Sequence, residues 1–122
     1  FTYEETNRRV NKLAHSLTSL GLKKGDKIAV LLENCTEIVE VYLATAKTGM
    51  IIVPINFRLV GKDVEYIVHN SDAKAIIADH EFAPVIDEIR PNLPNVGQDR
   101  YVVVGGVRDG YGEYESLIHD AP

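Results

Sequence analysis

Between residues 3 and 20 the apolar side chains Val10, Leu13, Ala14, Leu17 and Leu20 recur at the spacing that lines one face of an amphipathic helix, and Gly21 follows where a left-handed helix end is wanted. Thr2 with Glu5 forms a capping box at its start. After the turn Lys23-Lys24-Gly25-Asp26, the run from Ile28 to Leu32 is continuously apolar, the pattern of a strand buried on both faces of a parallel sheet. Residues 36–48 open on Thr36, a good N-cap, and are apolar nearly all round, with Glu37, Glu40 and Lys47 the only charges. This second helix is expected to be largely buried. Gly49 closes it, and Ile51 to Ile55 reads as a second strand, with Pro54, which cannot donate to a ladder, near its end. Strand, helix and strand over residues 28–55 make a βαβ unit.

The alternation continues. Val64, Ile67 and Val68 mark a short helix, Ala75 to Ala78 a third strand, and Phe82, Val85, Ile86 and Ile89 another helix with Pro84 in its first turn. Residues 91–100 read as a loop, Tyr101 to Val104 as a fourth strand, and residues 105–112 as a glycine-rich turn before a last helix around Tyr114 to Ile118. The pattern predicts an α/β fold: an open, mainly parallel sheet with βαβ units and helices on both faces.

Composition narrows the class without changing the fold. With 122 residues, 45% apolar and 25% charged, the chain has the make-up of a globular domain with its own core. A net charge of -5, with neither sign gathered into a block, disfavours a nucleic-acid or anionic-membrane surface. No uncharged run approaches the roughly 20 residues of a membrane span, and the first ten residues are too polar for a signal peptide. The single Cys35 fits a reducing, cytoplasmic setting. Residue 1 is Phe rather than Met, and the capping box begins almost at once, so the chain is expected to be part of something longer; a trimmed complete domain is the alternative.

Ligands of open parallel sheets bind outside the carboxyl ends of the strands. Three loops qualify: Glu33 to Thr36, Asn56 to Gly61 and Asp79 to Glu81. Arg58 is the side chain best suited to an anion, since its guanidinium fork matches phosphate; a surface arginine paired with a nearby carboxylate is the plain alternative. The glycine-rich stretch at 105–112 lacks the Lys-Ser/Thr ending of a phosphate loop and the glycine order of a dinucleotide fold, and reads as a tight turn. His15, His69, His80 and His119 show no metal-ligand spacing. Cys35 precedes a helix but has no identifiable activating base. The acidic pairs Glu4-Glu5 and Asp87-Glu88 fall on polar helix faces and are expected to be solvated. A response-regulator-like domain would need an acidic pair ending strand one, where Leu31-Leu32-Glu33-Asn34 stands.

Four segments, in their order and spacing, resemble the N-terminal part of the acyl-adenylate-forming, AMP-binding synthetases, which include acyl-CoA ligases, luciferases and peptide-synthetase adenylation domains. They are FTYEET (1–6), LGLKKGDKIAVLLENCTE (20–37), AKTGMIIVPINFRL (46–59) and YIVHNSDAKAIIAD (66–79). YVVVGG and YGEYESLI, in the stretch from 101, are similar to the family's next strand and its Tyr-Glu-x-Leu segment. Val60-Gly61-Lys62-Asp63 departs from the usual Thr/Ser-Pro-Glu-Glu helix start, and Met50 stands where a small residue is common.

The resemblance implies that a carboxylate attacks the α-phosphate of Mg-ATP, pyrophosphate leaves, and a thiol captures the acyl-adenylate. It implies ATP, Mg and coenzyme A as cofactors of a parent enzyme, none of them expected to bind this segment tightly. It also implies that residues 1–122 are part of a larger N-terminal domain, because no Pro-Lys-Gly phosphate loop, ribose-binding aspartate or C-terminal lysine is present. Pro54-Ile55-Asn56-Phe57-Arg58 is closer to the acyl-CoA ligase pattern than to that of peptide synthetases, which points to coenzyme A and a fatty-acid or related carboxylate. Phe57 and Arg58 are then the candidate coenzyme A contacts, a stacking face and a phosphate-matching fork. The expected partners are the rest of the parent chain and its small-molecule substrates. Two readings of other kinds stand beside this one. The first is a standalone α/β module binding a nucleotide or partner through Asn56–Gly61 and Asp79–Glu81; the second is an interaction fragment with exposed apolar faces.

Overall fold

The computed structural model describes residues 2–32, 36–56, 58 and 61–119. Helix α1 (Tyr3–Ser19) starts at Thr2, whose hydroxyl oxygen accepts the Glu5 N–H at 3.1 Å and donates to the Glu5 carboxylate at 3.0 Å. It ends as the glycine predicts. Gly21, at a φ of 90°, donates to Thr18, and Leu22 donates to Leu17, the paired bonds of a Schellman end with Leu22 tucked into the core.

Strands β1 (Lys27–Leu31), β2 (Ile51–Pro54), β3 (Ala75–Asp79), β4 (Tyr101–Val104) and β5 (Gly112–Glu113) form one sheet in the order β2-β1-β3-β4-β5, every pair parallel. Ile28 aligns with Ile52 on one side and Ala75 on the other, and Ile76 aligns with Tyr101. The continuous apolar runs of β1, β3 and β4 are buried on both faces, as their pattern requires. β2 is an edge strand and keeps Ile51 exposed. β5 was not foreseen: its two residues, Gly112 and Glu113, carry no apolar or alternating signal, and they pair with Val102 and Val103 at the edge of β4.

Period-two alternation splits the core into two layers. Ile28, Val30 and Ile77 face α1, α2 (Thr36–Thr48) and α5 (Tyr114–His119), packing with Leu13, Leu17, Val41 and Ile118. Ala29, Leu31 and Ile76 face the other way, against α3 (Gly61–Ser71) and α4 (Ala83–Ile89), packing with Val64, Val68 and Ile86. Each fully buried Leu or Ile in these layers contributes about 1.5–3 kcal/mol relative to its exposed state.

The expectation for α2 needs correcting. It buries Glu40, Val41, Ala44 and Thr45 but leaves Val39, Tyr42 and Leu43 exposed. A helix laid on a sheet and flanked by α1 has an outer side that nothing else among the described residues covers, whatever the side chains there.

Candidate functional site

The carboxyl ends of four strands form one rim, running β2, β1, β3, β4. The chain steps from β1 outward to β2, then returns to place β3 on the other side of β1, so β1 and β3 flank the switch point. The Glu33 to Cys35 part of the first candidate loop lies outside the described residues. After β2, the Arg58 N–H donates to Asn56 Oδ1 at 2.9 Å, a side-chain turn of the kind asparagine favours, and Arg58 is exposed. Phe57, the other candidate coenzyme A contact, lies outside the described residues.

After β3, Asp79 caps a 3-10 turn (His80–Phe82), with Oδ1 accepting the Glu81 N–H at 3.4 Å. The loop after β4 comes so close that a Cβ on Gly106 would lie 2.6 Å from the His80 ring, which is why a residue without a side chain stands there. An open cleft of about 400 Å³ follows, bounded by Gly105, Gly106, Tyr114 and the carboxylates of Glu37, Glu113 and Glu115. The rim is therefore polar in two senses. Arg58 follows the end of β2, and three glutamates gather at the end of β4, three strand spacings or about 14 Å along the sheet.

Beneath the acidic end lies a network that reading the sequence missed. Glu40 is fully buried in α2, and its carboxylate accepts Arg9 Nε at 2.5 Å, Arg9 Nη2 at 3.1 Å and the Tyr114 hydroxyl at 2.8 Å. Arg9 also donates from both Nη atoms to Glu115 at 2.8 Å. One guanidinium thus ties α1 to α2 and α5. Hydrogen bonds to Glu115 and Glu40 push the Arg9 guanidinium further up, and the bonds from Arg9 hold the Glu115 carboxyl below its ordinary value. Burial, then the Glu40 charge, pushes the Tyr114 hydroxyl up, so it remains a donor. The available signal was weak: Glu40 stands between Val39 and Val41 in a largely apolar stretch of α2.

The glycine-rich stretch is a clamped turn. Arg90 Nη1 donates to the Gly110 carbonyl at 2.8 Å, and its guanidinium carbon stands 3.8 Å from the centre of the Tyr101 ring. Asp87 is not merely solvated as expected: it accepts Arg108 at 2.5 Å and the Tyr111 hydroxyl at 2.6 Å. Burial raises the Asp87 carboxyl, but the Tyr111 and Arg108 hydrogen bonds outweigh it and hold the group low. Asp87 and Glu115 both shift downward, the direction of structural pairs rather than of a general acid. The four histidines sit on four different elements, His15 on α1, His69 on α3, His80 in the 3-10 turn and His119 on α5. Among the described residues no three His, Cys, Asp or Glu side chains stand together as a metal set, and no helix is long and apolar enough to cross a membrane.

The family model for AMP-binding enzymes matches residues 1–119, and the chain belongs to that family. Among curated relatives, the crotonobetaine/carnitine-CoA ligase of Salmonella typhimurium is 39% identical over 90 residues, which is 74% of this chain and 17% of that protein. Among solved structures, the anthranilate CoA ligase AuaEII, crystallised with anthranoyl-AMP, superimposes over 100% of this chain with a TM-score of 0.93 and 31% identity. The N-terminal domain of FACL13 from Mycobacterium tuberculosis does so with a TM-score of 0.86 and 32% identity. This chain spans 23% of the first of these structures and 29% of the second. The sheet and its flanking helices are thus the opening fold of CoA ligases, as the resemblance implied.

Proposed function

We propose that residues 1–122 are the scaffold segment at the start of an ATP-dependent carboxylate-CoA ligase, part of its larger N-terminal domain, and inactive alone. The observation that carries this reading is the family match over residues 1–119, joined to a fold kept over the whole chain within a CoA ligase of which it makes up 23%. The parent enzyme uses ATP, Mg and coenzyme A to form first an acyl-adenylate and then a thioester. In this reading the phosphates of ATP, and Mg with them, belong to the rest of the parent, because residues 1–122 carry no Ser/Thr/Gly-rich loop ending in Pro-Lys-Gly.

The substrate in this reading is a fatty acid or a related carboxylate. Support comes from Pro54-Ile55-Asn56-Phe57-Arg58 and from the similarity, at 32% identity over 99% of this chain, to a Mycobacterium tuberculosis fatty acyl CoA synthetase; the relatives named for crotonobetaine, carnitine and anthranilate mark how wide the choice of acid is. Phe57 and Arg58 are proposed to contact coenzyme A. The position supports this for Arg58, an exposed cation just past the end of β2 and well away from the glutamates at β4. A cytoplasmic setting belongs to the same reading and rests on a single cysteine that asks for no oxidising compartment.

The test is carboxylate-dependent ATP-pyrophosphate exchange across a panel of fatty, aryl and betaine acids, run on this chain and on the parent ligase. The expected result is exchange by the parent alone, with an acyl-CoA product when coenzyme A is added. Exchange by the 122-residue chain would overturn the scaffold reading. In the parent, Arg58→Ala is expected to raise KM for coenzyme A several-fold and leave exchange unchanged, since exchange precedes thiol capture.

A further inference from the structure

Residues 105–119 close one edge of the sheet, and little in their own sequence holds them there. Only Tyr114 and Ile118 among them are buried. β5 pairs with β4 through Gly112 and Glu113 alone, a ladder with no apolar alternation to fix its register. α5 has six residues, well short of the roughly 12–15 that a helix needs to be stable by itself. Gly105, directly after β4, has a φ of 86° and open space where a Cβ would stand, so it serves backbone freedom rather than close packing.

What fastens the segment is polar, and it lies on both faces of the sheet. On the face covered by α3 and α4, Asp87 accepts Arg108 at 2.5 Å and the Tyr111 hydroxyl at 2.6 Å, and Arg90 holds the Gly110 carbonyl at 2.8 Å. On the face covered by α1 and α2, Tyr114 donates to Glu40 at 2.8 Å, Arg9 donates to Glu115 at 2.8 Å, and the Ser16 hydroxyl donates to the Leu117 carbonyl. Between the two sets the chain crosses the edge of β4 as β5. Tyr111 packs on one core layer, Tyr114 and Ile118 in the other. A slip of β5 by one residue would pull Tyr111 off Asp87 and Tyr114 off Glu40 together, so the two sets of fastenings hold one register and release as one.

We propose that residues 105–119 are a strap that opens and closes as one unit on a sheet that stays folded, pivoting at Gly105 and latched by Asp87 on one face and Glu40 on the other. β1 and β3 lie between other strands and keep α1, α2, α3 and α4 on their faces whether the strap is closed or open. The closed strap builds the cleft at the end of β4: of the described residues that bound it, only Glu37 and Val104 lie outside the strap. Opening removes that cleft and uncovers the edge of β4 in the same step. This holds whatever chemistry the parent performs.

The experiment is hydrogen exchange read by mass spectrometry on the full-length protein that carries this chain, in peptides covering β1, β3, residues 105–113 and α5. In the wild type, the protected amides of 105–113 and of α5 should exchange at least about tenfold faster than those of β1 and β3, and both should share one denaturant dependence, smaller than that of β1. Exchange of 105–119 only as fast as β1 and β3, or separate denaturant dependences for 105–113 and α5, would overturn the proposal. Asp87→Ala then tests the coupling between faces. The Asp87 side chain is 39% exposed, so its loss leaves the core packing in place, and Arg108→Ala repeats the test from the strap itself. Asp87→Ala should speed exchange in α5, on the far face, by the same factor as in 105–113, about fivefold; Arg108→Ala should do so by about twofold. Acceleration that stops at 105–113 and leaves α5 unchanged would mean that the two ends open separately, and would overturn the proposal equally.

Discussion

Two tyrosines are buried in this chain, one in each layer of the core, and they are buried on different terms. Tyr114, in the layer under α1 and α2, gives its hydroxyl to Glu40 at 2.8 Å. Tyr101, in the layer under α3 and α4, is just as inaccessible, yet its hydroxyl has no hydrogen-bond partner among the described residues, and its ring lies under Arg90 and edge-on to Tyr111. The first is a polar lock inside an apolar layer. The second is an apolar ring carrying an unused polar atom, with the charges left near the surface. Burial alone therefore does not set what a polar group is worth; whether its partner is buried with it does.

The largest effect is expected where the lock is opened. Glu40→Ala leaves Arg9, whose side chain is only 15% exposed, without its inner carboxylate, and should cost about 3 kcal/mol in urea unfolding. Glu40→Gln, which keeps an acceptor and the shape, should cost clearly less. Next comes Tyr114→Phe, which removes a donor to a buried carboxylate and should cost about 2 kcal/mol. The same change at Tyr101 sharpens the comparison by its sign. Tyr101→Phe removes an unpaired buried hydroxyl and should leave stability unchanged or raise it by about 1 kcal/mol; a loss equal to that at Tyr114 would erase the distinction. Smallest is Arg108→Ala, breaking a pair with Asp87 whose side chains are 34% and 39% exposed; about 0.5 kcal/mol is expected, shrinking as salt rises.

Acid should act through the paired carboxylates. Glu115 and Asp87 have folded values held below their unfolded ones, so their contribution is present above the ordinary carboxylate range and fades as pH falls through the folded values. Stability should therefore decline below about pH 4, and Arg9→Met should flatten that decline more than Arg108→Met does, Arg9 being the more buried of the two cations.

What the chain's pattern reveals and conceals follows the same physics. β1, β3 and β4 are continuous apolar runs because both faces are covered, and such runs can be read directly. The boundaries of α1 could be read from Thr2 and Gly21 because caps act locally. The lock could not, since Glu40 stands 31 residues from Arg9 and 74 from Tyr114, and nothing local distinguishes a buried glutamate from a solvated one. The outer face of α2 misleads in the opposite way: its apolar residues suggested burial, but the described chain brings nothing to bury them against. Of the candidate site, motif order was enough for the family, whereas the acidic cleft beside β4 exists only once β5 and α5 fold back to it.

The central claim is that this fold is the frame on which a CoA ligase is built, with its chemistry supplied elsewhere in the parent chain. Sequencing the parent reading frame past Pro122 tests it most directly. A Ser/Thr/Gly-rich loop ending in Pro-Lys-Gly, followed far downstream by a C-terminal lysine, is the predicted result. A stop codon immediately after Pro122 would contradict it.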